Sequence, residues 1–288
     1  MDTQPKMPQE PPTPKIKIYF LPNLLTAGNL FCGFLALTKI VNVDKTDLEI
    51  GQFEQIISAL KLILLACIFD LFDGRVARMG GRESPFGREF DSLADLISFG
   101  VAPAFLVYRV VLRDVFYPHE EIGWFIASIY LVCGAFRLAR FNCLAAISSG
   151  GGGKEFLGFP IPSAAGLVAS LTLFMIWIYE KDFSTQKWKY ILPVLLLFLS
   201  WMMVSEVKYP TFKQLDWKAT RTFYTMLAIV LLIGSAVIFR EKIIYFMLPL
   251  FFTSYLVYGF IRPYIPHKMR EEIEEEDPDE DDDGDGQK

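Results

Sequence analysis

The sequence predicts an all-α protein, a polytopic transmembrane bundle of about eight helices, and three observations carry that prediction. The 288 residues are 52% hydrophobic and 15% aromatic with a mean hydropathy of +0.33, which is too apolar for a water-soluble chain of this length. The apolar residues fall into long runs, several near the roughly 20 residues a helix needs to cross a bilayer. Basic residues also alternate: 18 of the 28 Lys and Arg fall on stretches that eight crossings put on the side of the two termini, which makes that side cytosolic by the positive-inside rule.

Taken in order, the spans are predicted at 20–41, 55–79, 91–112, 124–147, 159–179, 190–206, 223–239 and 242–262. Pro22 fits the first turn of the first helix, where a missing N–H costs nothing. Gly80, Gly81 and Pro85 make a short turn between the second and third helices. Gly150 to Gly153 form a flexible loop after the fourth helix, and without a strand-to-helix setting they are no phosphate fingerprint.

Residues 1–18, rich in Pro, Gln and Lys, read as a flexible cytosolic lead-in with no signal-peptide pattern. Residues 19–265 form the transmembrane catalytic domain. Residues 266–288 are an acidic tail expected to be disordered. Residues 271–288 alone hold twelve acids and one Lys, so the formal charge of -5 hides a body, residues 1–270, at +6. Cys32, Cys67, Cys133 and Cys143 show no paired ligand spacing, which argues against a disulfide framework or zinc. With only His119 and His267, triad chemistry has little material, and catalysis falls to carboxylates.

The stretch Asp70-Leu-Phe-Asp73-Gly74-Arg-Val-Ala77-Arg78, followed by Gly87, Asp91 and Asp95, supplies them. At about 100° per residue, Asp70, Asp73, Gly74 and Ala77 share one helix face, as do Asp91 and Asp95. The intervening turn lets both acidic faces meet at the membrane surface. Four carboxylates in such a setting repel one another and lose hydration unless cations neutralise them. Hard, oxygen-preferring Mg²⁺ or Mn²⁺ suits an all-carboxylate site better than zinc. Gly74 and Ala77 would let a substrate approach the backbone closely. Capping and salt bridges to Arg75, Arg78, Arg82 and Arg88 are the plainer reading of these acids, and they leave the spacing unexplained.

This pattern resembles the signature of the CDP-alcohol phosphotransferases, D-x-x-D-G-x-x-A-R-x8-G-x3-D-x3-D, matched at every fixed position by Asp70, Asp73, Gly74, Ala77, Arg78, Gly87, Asp91 and Asp95. The resemblance implies a core of six transmembrane helices, a homodimer, and attack of an alcohol on a CDP-linked phosphate with release of CMP. It implies that Asp70, Asp73 and Asp91 bind divalent metal. Asp95 would help bind a second metal and act as the base, with Asp91 beside it in the catalytic pair. Gly74, Ala77, Arg78 and Gly87 would line the CDP-lipid pocket.

Further segments resemble bacterial type II phosphatidylserine synthases: Leu21-Pro-Asn23 to Gly33, Phe90 to Ala104, Phe136-Arg137-Leu-Ala-Arg140-Phe-Asn142, Gly158 to Ser163 and Met203 to Pro210. Asn23, Thr26, Asn29 and Gly33 share a face of the first helix, and Asn23 and Thr26 are candidates for shaping the nucleotide pocket. Arg137 and Arg140, one turn apart with Asn142 just beyond, are candidates for the serine carboxylate, which suits a planar guanidinium. The resemblance implies transfer of the phosphatidyl group of CDP-diacylglycerol to L-serine, in a bacterial inner membrane, with the site and both termini cytosolic. Partners are membrane lipids and a second copy of the chain, with no nucleic acid. Glycerol 3-phosphate or an inositol compound as the alcohol is the nearest rival reading. A cation transporter is the non-enzyme rival, because intramembrane acids also line ion paths. A purely structural membrane scaffold is a third possibility.

Overall fold

A computed structural model describes residues 19–43, 53–79, 84–147, 155–179, 181, 190–210 and 241–262. The predicted lead-in, the glycine loop, the span at 223–239 and the acidic tail lie outside the described residues. Seven helices are seen among those described: α1 (Phe20–Val41), α2 (Glu54–Met79), α3 (Pro85–Val115), α4 (Glu120–Ile147), α5 (Ile161–Tyr179), α6 (Ile191–Val204) and α7 (Glu241–Ile261). The first five are long and apolar enough to cross a membrane. The chain is an integral membrane protein.

The third helix starts at Pro85, earlier than the predicted residue 91. Pro85 reads as part of the turn, but Ser84 is an N-cap whose Oγ accepts from the Gly87 N–H at 3.0 Å, with Pro85 in the first turn of the helix. Two π-helical turns interrupt α3, at Leu96–Val101 and Tyr108–Leu112. A second departure from the all-helical expectation is a small antiparallel pair, β1 (Glu155–Leu157) with β2 (Lys208–Pro210). Strands of three residues are too short to show a period.

α1 and α2 pack against one another, and Ala36 of α1 and Ala59 and Ala66 of α2 are buried in the core, as are Ile40, Ile56 and Ile63. The perimeter is apolar instead of polar, with Phe31, Phe34, Val194, Leu250 and Phe251 exposed. That is the surface a bilayer solvates. Hydroxyls inside the bundle are satisfied locally, as Thr172 donates to Val168 O at 2.7 Å and Ser200 to Leu196 O at 2.7 Å.

One end of the bundle is cross-braced. Arg140 on α4 donates through Nη1 to Val204 O and through Nη2 to Leu157 O, Met203 O and Ser205 O, at 2.8–3.3 Å. Those carbonyls belong to the end of α6, its following residue and β1, so one guanidinium serves as an external cap for orphan acceptors. Gly158 beside it has φ +80°, and a Cβ there would collide with Met203 O and sit 2.8 Å from Arg140 Nη2. Tyr209 on β2 is fully buried against Phe159 and Tyr255. Its hydroxyl donates to Leu256 O of α7 at 3.3 Å, and its ring lies against Gly259. Burial pushes the Tyr209 phenol up, so it remains a donor.

Candidate active site

The acids meet where α2 ends and α3 begins. Carboxylate oxygens of Asp70, Asp91 and Asp95 all lie within 4.8 Å of one another. Asp73, one turn further along α2, is 3% exposed and stands outside this trio, though its charge acts on Asp70 and Asp95. The resemblance groups Asp70 and Asp73 with Asp91; the tightest geometric group instead includes Asp95. A trio of oxygen donors this close fits a hard divalent cation and gives such a cation no nitrogen or sulfur ligand. Cys67, the nearest thiol along α2, donates to Pro162 O at 3.6 Å.

Asp95 is held from α1. Asn29 Nδ2 donates to Asp95 Oδ1 at 3.0 Å, and Ser98 Oγ donates to Asn29 O at 3.0 Å. A Cβ on Gly33 would lie 2.8 Å from Ser98 Cα, so the glycine lets the π-helical turn that follows Asp95 press against α1. Sequence reasoning noted Asn29 on the polar face of α1 but left it out of the site. The i, i+3 spacing of Asn23, Thr26 and Asn29 was the signal that could have found it.

The remaining candidates divide. Asn23 reaches α3, with Oδ1 3.4 Å from where a Gly87 Cβ would stand, and its buried Nδ2 has no partner among the described residues. Thr26 is buried and donates to Pro22 O at 3.2 Å. Gly74 is half-buried on α2 beside Asp73. Ala77 and Arg78 lie on the last turn of α2, and their side chains fall outside the described residues.

Arg137 is 7% exposed and in electrostatic contact with both Asp70 and Asp95, so α4 brings a cation to the acids. Arg140 does not join it, because its donors go to the main-chain carbonyls at the end of α6. Asn142 Nδ2 is shared between Ser92 Oγ at 3.0 Å and Glu89 Oε2 at 3.3 Å, which ties α4 to the first turns of α3. Glu89 and Ser92 were not among the sequence candidates; nothing local in the sequence pairs them with Asn142.

Comparison with known proteins agrees with this geometry. The model of a family described as CDP-alcohol phosphatidyltransferase matches residues 19–202, which contain all four aspartates. The chain is 34% identical over 245 residues to the CDP-diacylglycerol–serine O-phosphatidyltransferase of Helicobacter pylori (strain ATCC 700392 / 26695), covering 85% of this chain and 91% of that one. It is 34% identical over 199 residues to the protein of the same name from Bacillus subtilis (strain 168), covering 68% and 92%. An archaetidylserine synthase of Methanothermobacter thermautotrophicus is 36% identical over 192 residues, covering 66% and 69%.

Proposed function

The chain belongs to the CDP-alcohol phosphatidyltransferase family, and on that premise we propose that it transfers the phosphatidyl group of CDP-diacylglycerol to L-serine and releases CMP. It is a phospholipid-forming transferase of the membrane. The observation that carries the reading is the trio Asp70, Asp91 and Asp95 packed within 4.8 Å beside the buried Arg137. It joins a metal-type carboxylate cluster to a fixed positive group.

The family works with divalent metal; here Asp70, Asp73, Asp91 and Asp95 would hold it, as Mg²⁺ or Mn²⁺. Such ions, when bound, neutralise diphosphate charge and stabilise a departing phosphate. The protein's own groups do the rest. Asp95 accepts the proton of the serine hydroxyl at a carboxylate oxygen, oriented by the Asn29 amide. Asp91 lies beside it. The serine oxygen forms a bond to the lipid-bearing phosphorus while the bond from that phosphorus to the bridging oxygen breaks, and the electron pair leaves with CMP. Asn23, Thr26, Gly74, Ala77, Arg78 and Gly87 would line the CDP-lipid pocket, as the resemblance implies. Arg137 receives the serine carboxylate. Holding the hydroxyl and phosphate together is most of what phosphoryl-type transfer needs.

Residues 19–265 act as the catalytic unit, with 1–18 and 266–288 as appendages. The site and both termini face the cytosol of a bacterial inner membrane, a reading supported by the Lys/Arg bias. The working unit is a homodimer, as the family resemblance implies. CMP release by purified protein with CDP-diacylglycerol and a panel of alcohols tests the function. Release with serine is expected; brisk release with glycerol 3-phosphate or an inositol compound, and none with serine, would overturn the substrate and leave the family standing.

A further inference from the structure

Serine differs from the other alcohols of this chemistry in carrying an ammonium group, and Arg137 answers only its carboxylate. Two positions between the fixed residues of the signature carry polar side chains that meet α4. Glu89 stands at one such position, between Gly87 and Asp91, and Ser92 at another, between Asp91 and Asp95. Both are gathered by Asn142 of α4, which donates to Glu89 Oε2 and to Ser92 Oγ. The Asn142 Oδ1 is buried and has no partner among the described residues, so a buried acceptor stands beside an exposed carboxylate.

Resting on the serine reading, we propose that Glu89 and Asn142 Oδ1 together bind the ammonium group of the amino-acid substrate and set its preference over alcohols without one. Glu89, Ser92 and Asp95 are spaced i, i+3, i+6 along α3, with ~9 Å of helix rise and about 120° of turn between the first and last. An amino alcohol hydrogen-bonded at its ammonium and at its hydroxyl spans a comparable length. Bound to Glu89, serine presents its hydroxyl toward Asp95. The same carboxylate repels an alcohol that carries a phosphate, which gives selection by repulsion as well as attraction.

The experiment compares L-serine with 3-hydroxypropionate, which keeps the hydroxyl and carboxylate but lacks the amine, in wild type and Glu89→Gln. Wild type should prefer serine by at least about tenfold in kcat/KM, the scale of one hydrogen bond to a charged group. In Glu89→Gln the serine KM should rise by about tenfold or more, with the KM values for 3-hydroxypropionate and CDP-diacylglycerol little changed. Retention of labelled serine by the CMP-loaded variant should fall in parallel. Equal losses for both alcohols, or a loss in kcat alone, would overturn the proposal. So would a wild type that does not separate serine from 3-hydroxypropionate, a result that does not depend on any variant folding. A wild type that uses neither and turns over glycerol 3-phosphate would instead overturn the serine reading itself.

Discussion

Asn29 on α1 donates its amide to Asp95 Oδ1 on α3 over 3.0 Å, and Ser98, three residues beyond Asp95, donates back to the Asn29 carbonyl. The pair of bonds fixes one oxygen of Asp95 against α1. A neutral donor locks the rotamer of this buried carboxylate.

Replacing Asp95 by Asn tests that carboxylate directly. The substituted amide still offers Asn29 an acceptor, so packing should persist while the basic oxygen is lost. Turnover of Asp95→Asn should fall by at least about a hundredfold, the scale of general-base catalysis, with an unchanged melting profile. Near-normal turnover would remove Asp95 from the base role.

Activity should require a hard divalent cation. Protein stripped of metal and held in excess chelator should be inactive, and Mg²⁺ or Mn²⁺ should restore it and raise its melting temperature, since a ligand that binds only the folded form stabilises it. Full turnover in chelator would refute the assignment of the aspartates.

The two arginines of α4 should respond differently to the same substitution. Arg137→Lys loses the planar fork and should raise the serine KM with little effect on CDP-diacylglycerol. Arg140→Lys cannot satisfy four carbonyls at once, so it should lower the melting temperature and leave the ratio of the two KM values alone. A selective serine KM effect from Arg140→Lys would contradict the bracing role.

Gly33→Ala should cost stability, because the added methyl meets Ser98 main chain 2.8 Å away. The overpacking should cost about 1–3 kcal/mol and pull the Asn29–Asp95 contact apart, so activity should fall with stability. A variant as stable and active as wild type would show that α1 and α3 do not depend on this contact.

Cutting the chain after Arg270 should leave catalysis largely intact, because a run of acids with little apolar surface has nothing to pack. A well-folded truncation that loses activity would give the tail a catalytic part.

The aspartates were legible in the sequence because helical spacing alone puts Asp91 and Asp95 on one face, and Asp70 precedes them by few enough residues to meet them. The bracing contacts of Arg140 were not legible for the opposite reason: its neighbours on α4 say nothing about where α6 ends, and its partners are 17 to 65 residues away. Asn142 and Glu89, 53 residues apart, meet only because of how α4 is turned about its own axis. The start of α3 was missed because Ser84 and Pro85 carry both a turn signal and a cap signal, and the cap prevailed.

The Tyr209 contact also bears on where the chain's two described ends lie. Asn142 ties the end of α4 to the start of α3, Arg140 ties it to the end of α6, and Tyr209 then grips the last turns of α7. Asn23, near the start of α1, meets Gly87 at that same end of the bundle. Phe20 and Ile261 therefore lie at one end of the bundle, and a reagent too polar to cross a bilayer is expected to reach cysteines placed at both from the same compartment.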